Sequence, residues 1–174
     1  MRYGRVMTSP VSSHTYVVAL GSNRAGRFGR SPSAMLEAAI DRLLRSGQVR
    51  LKARSSIRAT APLGPARRRF ANGAILIETA LRPDALLRLL KAEERAFGRR
   101  PGRRWADRPL DLDIILWSGG RHYGPGLIIP HVAYHMRDFV LDPLCAIAPA
   151  WRDPRTGYRM THLRARWRRR GNNG

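Results

Sequence analysis

Acidic residues are scarce in this chain of 174 residues: 12 Asp and Glu stand against 33 Lys and Arg, which gives a formal net charge of +21. Such a charge attracts nucleic acid and other polyanions. Only Lys52 and Lys91 are lysines, however, and an excess made almost entirely of arginine can reflect codon usage. We therefore expect nucleic acid to bind only non-specifically, and we keep a basic nucleic-acid-binding protein as an alternative function.

Cysteines and long apolar runs are also few. The single cysteine, Cys145, excludes an internal disulfide and fits a reducing compartment. It lies in the apolar run 140–147 with no charged activator directly beside it, so we expect a buried, unreactive thiol. No apolar run reaches the ~18 residues that a membrane-spanning helix needs, and residues 1–15 lack the apolar part of a secretory signal. These absences predict a cytoplasmic protein without a membrane partner.

The length of the chain indicates one domain, and a hydrophobic content of 43% supports a substantial core. We expect a flexible N-terminal extension over 1–14, a single domain over 15–160 and a basic C-terminal tail over 161–174. The tail is rich in arginine, and this composition predicts disorder. We expect the protein to be a monomer.

Hydrophobic periodicity predicts alternating strands and helices. Strands are indicated over 16–20, 49–58, 72–79 and 110–117, where apolar or alternating segments are bounded by turn residues. One helix is predicted after Ser31, and it ends at Ser46-Gly47. A second helix has Pro83 in its first turn and ends at Gly98.

The rest of the chain adds a glycine-rich loop over 118–126 and a last apolar helix that opens near Arg137, with Asp138 as a candidate N-cap. The element order is therefore β-α-β-β-α-β, followed by helix. This order predicts an α+β protein with a ferredoxin-like βαββαβ core, in which helices pack on one face of an antiparallel sheet.

Two aspartates interrupt the apolar strand predicted over 110–117. In a strand, Asp111 and Asp113 point to one face and Leu112 to the other, with the two Cβ atoms roughly 6.5 Å apart. Mg²⁺ usually takes one or two protein carboxylates and leaves its other positions to water and substrate phosphates. The arginines just upstream suit phosphate oxygens. We therefore expect metal-assisted phosphoryl-type transfer, with a solvated strand edge or a turn as the alternative reading.

Other polar residues allow two interpretations. Asn72 could recognise the edge of a heterocycle, but Asn-Gly is also a turn signal, and the chain alone favours the turn. A lone histidine such as His131 is more often structural than catalytic. Glu93 and Glu94 fall near the end of the second helix, where the helix dipole disfavours acids. One of them could be kept for a polar contact, or both could simply pair with nearby arginines.

Nine ordered motifs between residues 16 and 151 closely resemble the 6-hydroxymethyl-7,8-dihydropterin pyrophosphokinase family of folate biosynthesis. They are Ala19-Leu20-Gly21-Ser22-Asn23, Thr60-Ala61-Pro62-Leu63-Gly64-Pro65, Phe70-Ala71-Asn72, Glu78-Thr79, Gly98-Arg99, Arg104-Trp105, Arg108-Pro109-Leu110-Asp111-Leu112-Asp113, Ile129-Pro130-His131 and Arg137-Asp138-Phe139-Val140-Leu141.

The resemblance implies an ATP-dependent pyrophosphokinase. Such an enzyme transfers the β,γ-diphosphate of ATP, its co-substrate, to the hydroxymethyl group of 6-hydroxymethyl-7,8-dihydropterin and leaves AMP. The family uses two Mg²⁺ ions, which Asp111 and Asp113 would hold by position. Arg99 and Arg108 match arginines implicated in catalysis.

The resemblance also implies two sets of binding residues. The ATP-binding set is Glu94, Arg100, Arg104, Trp105, Arg108, Ile114, His131 and Arg137. The pterin-binding set is Thr60, Ala61, Leu63, Phe70, Asn72, Trp105 and Phe139, which reverses the turn interpretation of Asn72. Ala106-Asp107 and Pro109 depart from the family pattern, and the loops before Phe70 and before Trp105 are short. A catalytically degenerate relative is therefore a further alternative.

Overall fold

The structure is a computed structural model, and it describes residues 12–24, 31–60, 70–99 and 109–171. The strands in these ranges are β1 (His14–Ser22), β2 (Arg50–Arg54), β3 (Arg58–Thr60), β4 (Phe70–Thr79), β5 (Asp111–Trp117), β6 (His122–Gly124) and β7 (Leu127–Ile129). The helices are α1 (Pro32–Arg45), α2 (Pro83–Ala96), α3 (Asp138–Ile147) and α4 (Met160–Gly171), and a 3-10 turn covers Tyr134–Met136.

The main sheet is antiparallel, with the strand order β2-β4-β1-β5. The short strand β3 pairs with the first residues of β4, further along the edge that β2 occupies. Helix α1 connects β1 to β2, and α2 connects β4 to β5. This arrangement confirms the predicted α+β class with a ferredoxin-like βαββαβ core.

Helices cover both faces of the sheet. Tyr16 and Val18 of β1 belong to a core cluster formed with α1 and α2. Val17 points to the opposite face and packs in a second cluster, which includes Leu141 of α3 and Met160 of α4. The two helices of the βαββαβ core, α1 and α2, therefore lie on one face as predicted, and the later helices α3 and α4 cover the other face. Strand β1 is apolar at consecutive positions, so both of its faces can be buried.

The helix starts follow the predicted signals in two cases and differ in the third. The Ser31 hydroxyl accepts a hydrogen bond from the Ala34 N–H at 3.2 Å and so caps α1. Pro83 lies in the first turn of α2 as expected, and Gly98 follows that helix with a φ of +89°. Asp138 is not the N-cap of α3, because Arg137 holds that position. Instead Asp138 lies in the first turn and accepts a hydrogen bond from the adjacent Phe139 N–H at 2.7 Å.

Two segments differ from the predicted elements. The strand predicted over 49–58 is divided into β2 and β3, because the Ser55 hydroxyl accepts the hydrogen bond of the Ala74 N–H at 3.0 Å and interrupts the ladder. The loop predicted over 118–126 contains β6, which pairs with β7 as a short hairpin. Gly126, with a φ of +71°, lies in its turn.

Strand β1 begins at His14, the last residue of the segment predicted as an extension, and residues 1–11 of that segment lie outside the described ranges. The basic tail predicted over 161–174 was expected to be disordered, but its residues 161–171 lie in α4, and residues 172–174 lie outside the described ranges. Leu163 and Trp167 lie one turn apart and pack on the second core cluster, so apolar burial offsets the repulsion among the arginines.

Cys145 is buried as predicted, and burial raises the pKa of its thiol. Across the described ranges, every helix is too short or too polar to cross a membrane.

Candidate active site

Three residues lie side by side across three neighbouring strands. Gly21 of β1 pairs with Asn72 of β4 on one side and with Asp111 of β5 on the other. A Cβ atom placed on Gly21 would lie 3.3 Å from Oδ1 of Asn72 and 3.9 Å from Cβ of Asp111. Two strand spacings separate the backbones of Asn72 and Asp111 by about 10 Å. The missing side chain at Gly21 therefore leaves room between an amide and a carboxylate.

Asp111 and Asp113 are both half-buried, and the intervening Leu112 is buried on the opposite face of β5. This is the alternation that the sequence predicted. A β-bulge follows directly, because Val17 pairs with Leu116 and Val18 with Ile114. Ile115 is the extra residue in β5. The bulge lets the strand pass from its acidic half to an apolar half that is buried on both faces.

Arg99 connects the aspartate pair to the end of α2. Its Nη1 atom lies 2.5 Å from Oδ1 of Asp111 and 2.6 Å from Oε2 of Glu94. Burial lowers the pKa of Arg99, but the carboxylates of Asp111 and Glu94 outweigh this effect and raise it. The guanidinium therefore stays charged at any working pH and holds a positive charge next to Asp111.

Glu94 is the most enclosed acid of the site, with 1% of its side chain exposed. Its Oε1 atom accepts hydrogen bonds from the Lys91 Nζ at 2.7 Å and from the Leu112 N–H at 2.8 Å. With Arg99 on the other oxygen, three donors surround this carboxylate. The neighbouring Glu93 pairs with Arg42 at 2.7 Å. Both acids therefore pair with an arginine, and Glu94 in addition makes the polar contacts with Lys91 and Leu112.

His131 is fixed beside β5 through its backbone. Its N–H donates to the carbonyl of Ile115, the extra residue of the bulge, at 3.1 Å. Burial lowers the pKa of His131, and Arg137 lowers it further, while the carboxylate of Asp113 acts in the opposite direction. The imidazole is therefore mainly neutral at pH 7 and lies within electrostatic reach of Asp113.

The start of α3 and the end of β3 supply further polar and aromatic groups. The Arg137 guanidinium carbon lies 5.8 Å from the centroid of the Phe139 ring, a cation–π distance. Across the sheet, the Asn72 amide donates to the Thr60 hydroxyl at 2.7 Å. Phe70 and Phe139 make no ring contact with each other in the described part of the chain, and their assignment to the pterin-binding set stays a prediction.

A model of the 7,8-dihydro-6-hydroxymethylpterin-pyrophosphokinase family matches residues 17–149. The chain belongs to this family. The expected enzyme class, a pyrophosphokinase, is confirmed by that membership.

Relatives of known name are similar over most of the chain. A 2-amino-4-hydroxy-6-hydroxymethyldihydropteridine pyrophosphokinase of Pseudomonas aeruginosa is 42% identical over 138 residues, which cover 79% of this chain and 82% of the relative. An enzyme of the same name from Synechocystis is 34% identical over 88% of this chain and 76% of the relative. A mitochondrial folate synthesis bifunctional protein of Arabidopsis thaliana is 39% identical over 76% of this chain, which spans 23% of that longer relative.

Solved structures support the fold of this pyrophosphokinase family member. The wild-type Plasmodium falciparum HPPK-DHPS, crystallised with pteroate, superposes with a TM-score of 0.71 at 11% identity. The match covers 93% of this chain and 46% of the Plasmodium chain, so this chain spans less than half of that protein. At this identity the likeness concerns the fold alone.

The structure brings together part of the predicted site. Asp111 lies next to Arg99 and in line with Asn72. Burial lowers the pKa of His131, and the charges of both aspartates act against that effect. Ile114 has a buried side chain, so a contact with nucleotide would have to come from its backbone. Six predicted site residues lie outside the described ranges: Ala61, Leu63, Arg100, Arg104, Trp105 and Arg108.

Sequence reasoning missed the roles of Gly21, Lys91 and Ile115 in building the site. A signal existed for Lys91, which stands three residues before Glu94 on one face of α2. The alignment of Asn72, Gly21 and Asp111 across three strands has no local sequence signature, and neither has the bulge at Ile115. Both depend on the register between strands.

The donors at the aspartate pair fit magnesium. Across the described residues, no group of three or more His, Cys, Asp or Glu side chains forms a protein cage for a metal ion. Mg²⁺ does not need such a cage, because one or two carboxylates with water and substrate phosphates complete its coordination. Asp111, which borders the space over Gly21, and Asp113, on the same face of β5, are both half-buried and together meet this requirement.

Proposed function

We propose that this chain transfers the β,γ-diphosphate of ATP to the hydroxymethyl oxygen of 6-hydroxymethyl-7,8-dihydropterin, with AMP as the second product, in folate biosynthesis. The observation that carries the proposal is the row of Asn72, Gly21 and Asp111 across three strands, in a chain of this family. The names of the bacterial relatives point to the same substrate and the same group transfer.

The pterin would lie on the Asn72 side of the row. The Asn72 amide is already oriented by the Thr60 hydroxyl, and its Oδ1 atom borders the space over Gly21, where it can accept a hydrogen bond from a heterocycle amino group. Phe70 and Phe139 would supply apolar ring faces, which suit a flat bicyclic ligand. Ala61, Leu63 and Trp105 complete this proposed set.

The phosphates would lie on the Asp111 side. Asp111 and Asp113 would hold two Mg²⁺ ions, which offset charge on phosphate oxygens during an in-line displacement. Arg99 keeps a fixed positive charge beside Asp111, and Arg108 is its proposed catalytic partner. The remaining nucleotide contacts are proposed for Glu94, Arg100, Arg104, Trp105, Ile114, His131 and Arg137.

The reaction balances as a single displacement. A bond forms between the hydroxymethyl oxygen and the β-phosphorus, and the bond from that phosphorus to the α,β-bridging oxygen breaks. The bridging oxygen leaves on AMP, and the hydroxyl proton is released. We assign no side chain as general base, because positioning and electrostatic stabilisation account for most catalysis of this type. A monomeric state, a cytoplasmic location and a single domain over 15–160 stay predictions.

The test is AMP formation from MgATP with and without 6-hydroxymethyl-7,8-dihydropterin. We compare the natural chain with Asp111→Asn and with Asp84→Asn, a matched loss of charge at the start of α2. We expect pterin-dependent AMP formation that falls by roughly 10²–10³-fold in Asp111→Asn only. A folded protein that binds pterin but forms no AMP would indicate a degenerate relative. Absence of both pterin binding and AMP formation would refute the proposal.

A further inference from the structure

The arginines of α4 separate into two groups. Arg164 and Arg168 lie on the side of the helix that faces Asp142 of α3, at 4.0 and 2.9 Å from its carboxylate. Arg166, Arg169 and Arg170 are exposed, and none has an ion pair in the described part of the chain. Residues three and four apart on a helix are surface neighbours, with Cβ atoms about 5–6 Å apart. The three uncompensated charges therefore form one continuous patch.

The segment before α4 adds to this positive charge. Arg152 and Arg159 lie directly opposite each other in an isolated antiparallel bridge. Like charges in this position repel each other. Asp153, the acid of this segment, is buried and accepts hydrogen bonds from the Arg155 N–H and the Thr156 hydroxyl. An anion placed over the bridge would relieve the repulsion between Arg152 and Arg159.

An aromatic ring lies within the same patch. Tyr158 is 42% exposed, and the guanidinium carbon of Arg166 lies 5.0 Å from its ring centroid. The ring of His162 approaches Tyr158 edge-on, with centroids 6.5 Å apart. Exposed aromatic rings among arginines are the groups on which the bases of single strands stack, while the arginines contact the backbone phosphates.

We propose that Tyr158, Arg159, Arg166, Arg169 and Arg170 form a binding surface for single-stranded nucleic acid, here called the α4 surface. The arginines would contact successive phosphates, and Tyr158 would stack on a base. A lipid membrane fits less well, because the large apolar residues of α4, Leu163 and Trp167, pack against the core and leave no apolar face for insertion. This inference does not depend on the proposed enzymatic reaction.

The test separates a local surface from the effect of overall charge. One variant of the full chain carries Arg166→Gln, Arg169→Gln and Arg170→Gln. The matched control carries Arg45→Gln, Arg88→Gln and Arg95→Gln, three exposed arginines of α1 and α2 with the same total charge loss. Binding of a fluorescein-labelled 20-nucleotide single-stranded DNA is followed by anisotropy between 50 and 200 mM NaCl.

We expect the α4 variant to lose affinity. The slope of log K against log[NaCl] should become shallower by about 2, because each lost phosphate contact on a single strand contributes about 0.7 to that slope. The control should keep the slope of the natural chain. Tyr158→Ala should weaken binding by at least about 5-fold without changing the slope, since stacking contributes affinity without charge.

Several results would overturn the proposal. Equal losses in the two triple variants would show that overall charge, and not the α4 surface, governs binding. Absence of binding at 50 mM NaCl would exclude the surface altogether. Tighter binding to phosphatidylserine vesicles than to DNA, with the same dependence on the three arginines, would identify a lipid surface as the partner.

Discussion

The carboxylate of Glu94 accepts the hydrogen bond of the Leu112 N–H at 2.8 Å, which ties the last turn of α2 to the strand residue between the two aspartates. Lys91 and Arg99 complete the shell around this acid. Because Leu112 lies between Asp111 and Asp113, this hydrogen bond helps to fix the positions of both aspartates.

We expect Glu94→Gln to lower the free energy of unfolding by about 2 kcal/mol, since it removes charge-assisted hydrogen bonds from a buried position. Glu93→Gln is the matched control. Glu93 is also buried, but its partner Arg42 is more than half exposed and can follow the new amide, so the expected loss is smaller, about 1 kcal/mol. Urea unfolding of both variants gives the comparison, and equal losses would contradict the central position of Glu94.

Gly21→Ala should weaken pterin binding, because the added methyl group would lie 3.3 Å from Oδ1 of Asn72. Crowding of this kind typically costs about 1–3 kcal/mol, so we expect a dissociation constant at least roughly 5-fold higher. Gly73→Ala is the control, because its Cβ would meet Ser55 and Ile57 instead. Fluorescence titration with the pterin measures both, and equal weakening would argue against the row as the binding site.

The contribution of Glu78 to stability should depend on pH. A hydrogen bond from Ser13 and the neighbouring Lys52 and Arg50 lower its pKa to about 2. The folded-state pKa is below the unfolded value of about 4.5, so this contribution is fully present above pH 4.5 and is lost as the pH falls towards 2. The difference in urea midpoint between the natural chain and Glu78→Gln should therefore shrink from pH 6 to pH 3. A constant difference over that range would refute the assignment.

Trp167→Ala should loosen α4, because this side chain packs on the core cluster next to Leu163. As the ring is only partly buried, we expect a loss of roughly 2 kcal/mol in unfolding free energy. The variant should also be cut faster by trypsin, for which the arginines of α4 are cleavage sites. Arg169→Ala, on the exposed side, should change stability by less than about 0.5 kcal/mol. A tail as open to trypsin in the natural chain as in Trp167→Ala would contradict the packed helix.

Sequence patterns correctly predicted those strands and helices that have strong local signals. The β-branched residues of β1, the Ser31 cap and Pro83 of α2 each act within a few residues, and the structure confirms all three. The misjudged parts depend on distant partners. Helix α4 is ordered because Leu163 and Trp167 pack against the second core cluster. The predicted strand 49–58 is divided at Ser55 because the Ser55 hydroxyl accepts a hydrogen bond from Ala74 of β4.

The candidate site also combines features with local sequence signals and features that depend on distant parts of the chain. The alternation of Asp111 and Asp113 is a property of one strand, so the sequence predicted it. The interpretation of Asn72 from the chain alone was a turn, because nothing nearby indicates that it pairs with Gly21. Strand register is decided by the whole sheet, and short-range patterns do not contain it.

The row across the sheet has a consequence for folding. Gly21, Asn72 and Asp111 come from distant parts of the chain and meet only when β4, β1 and β5 are paired in register. The site is therefore present only in chains whose sheet is complete. In refolding, recovery of activity would report the pairing of β4, β1 and β5 in register, whereas recovery of helical circular dichroism alone would not.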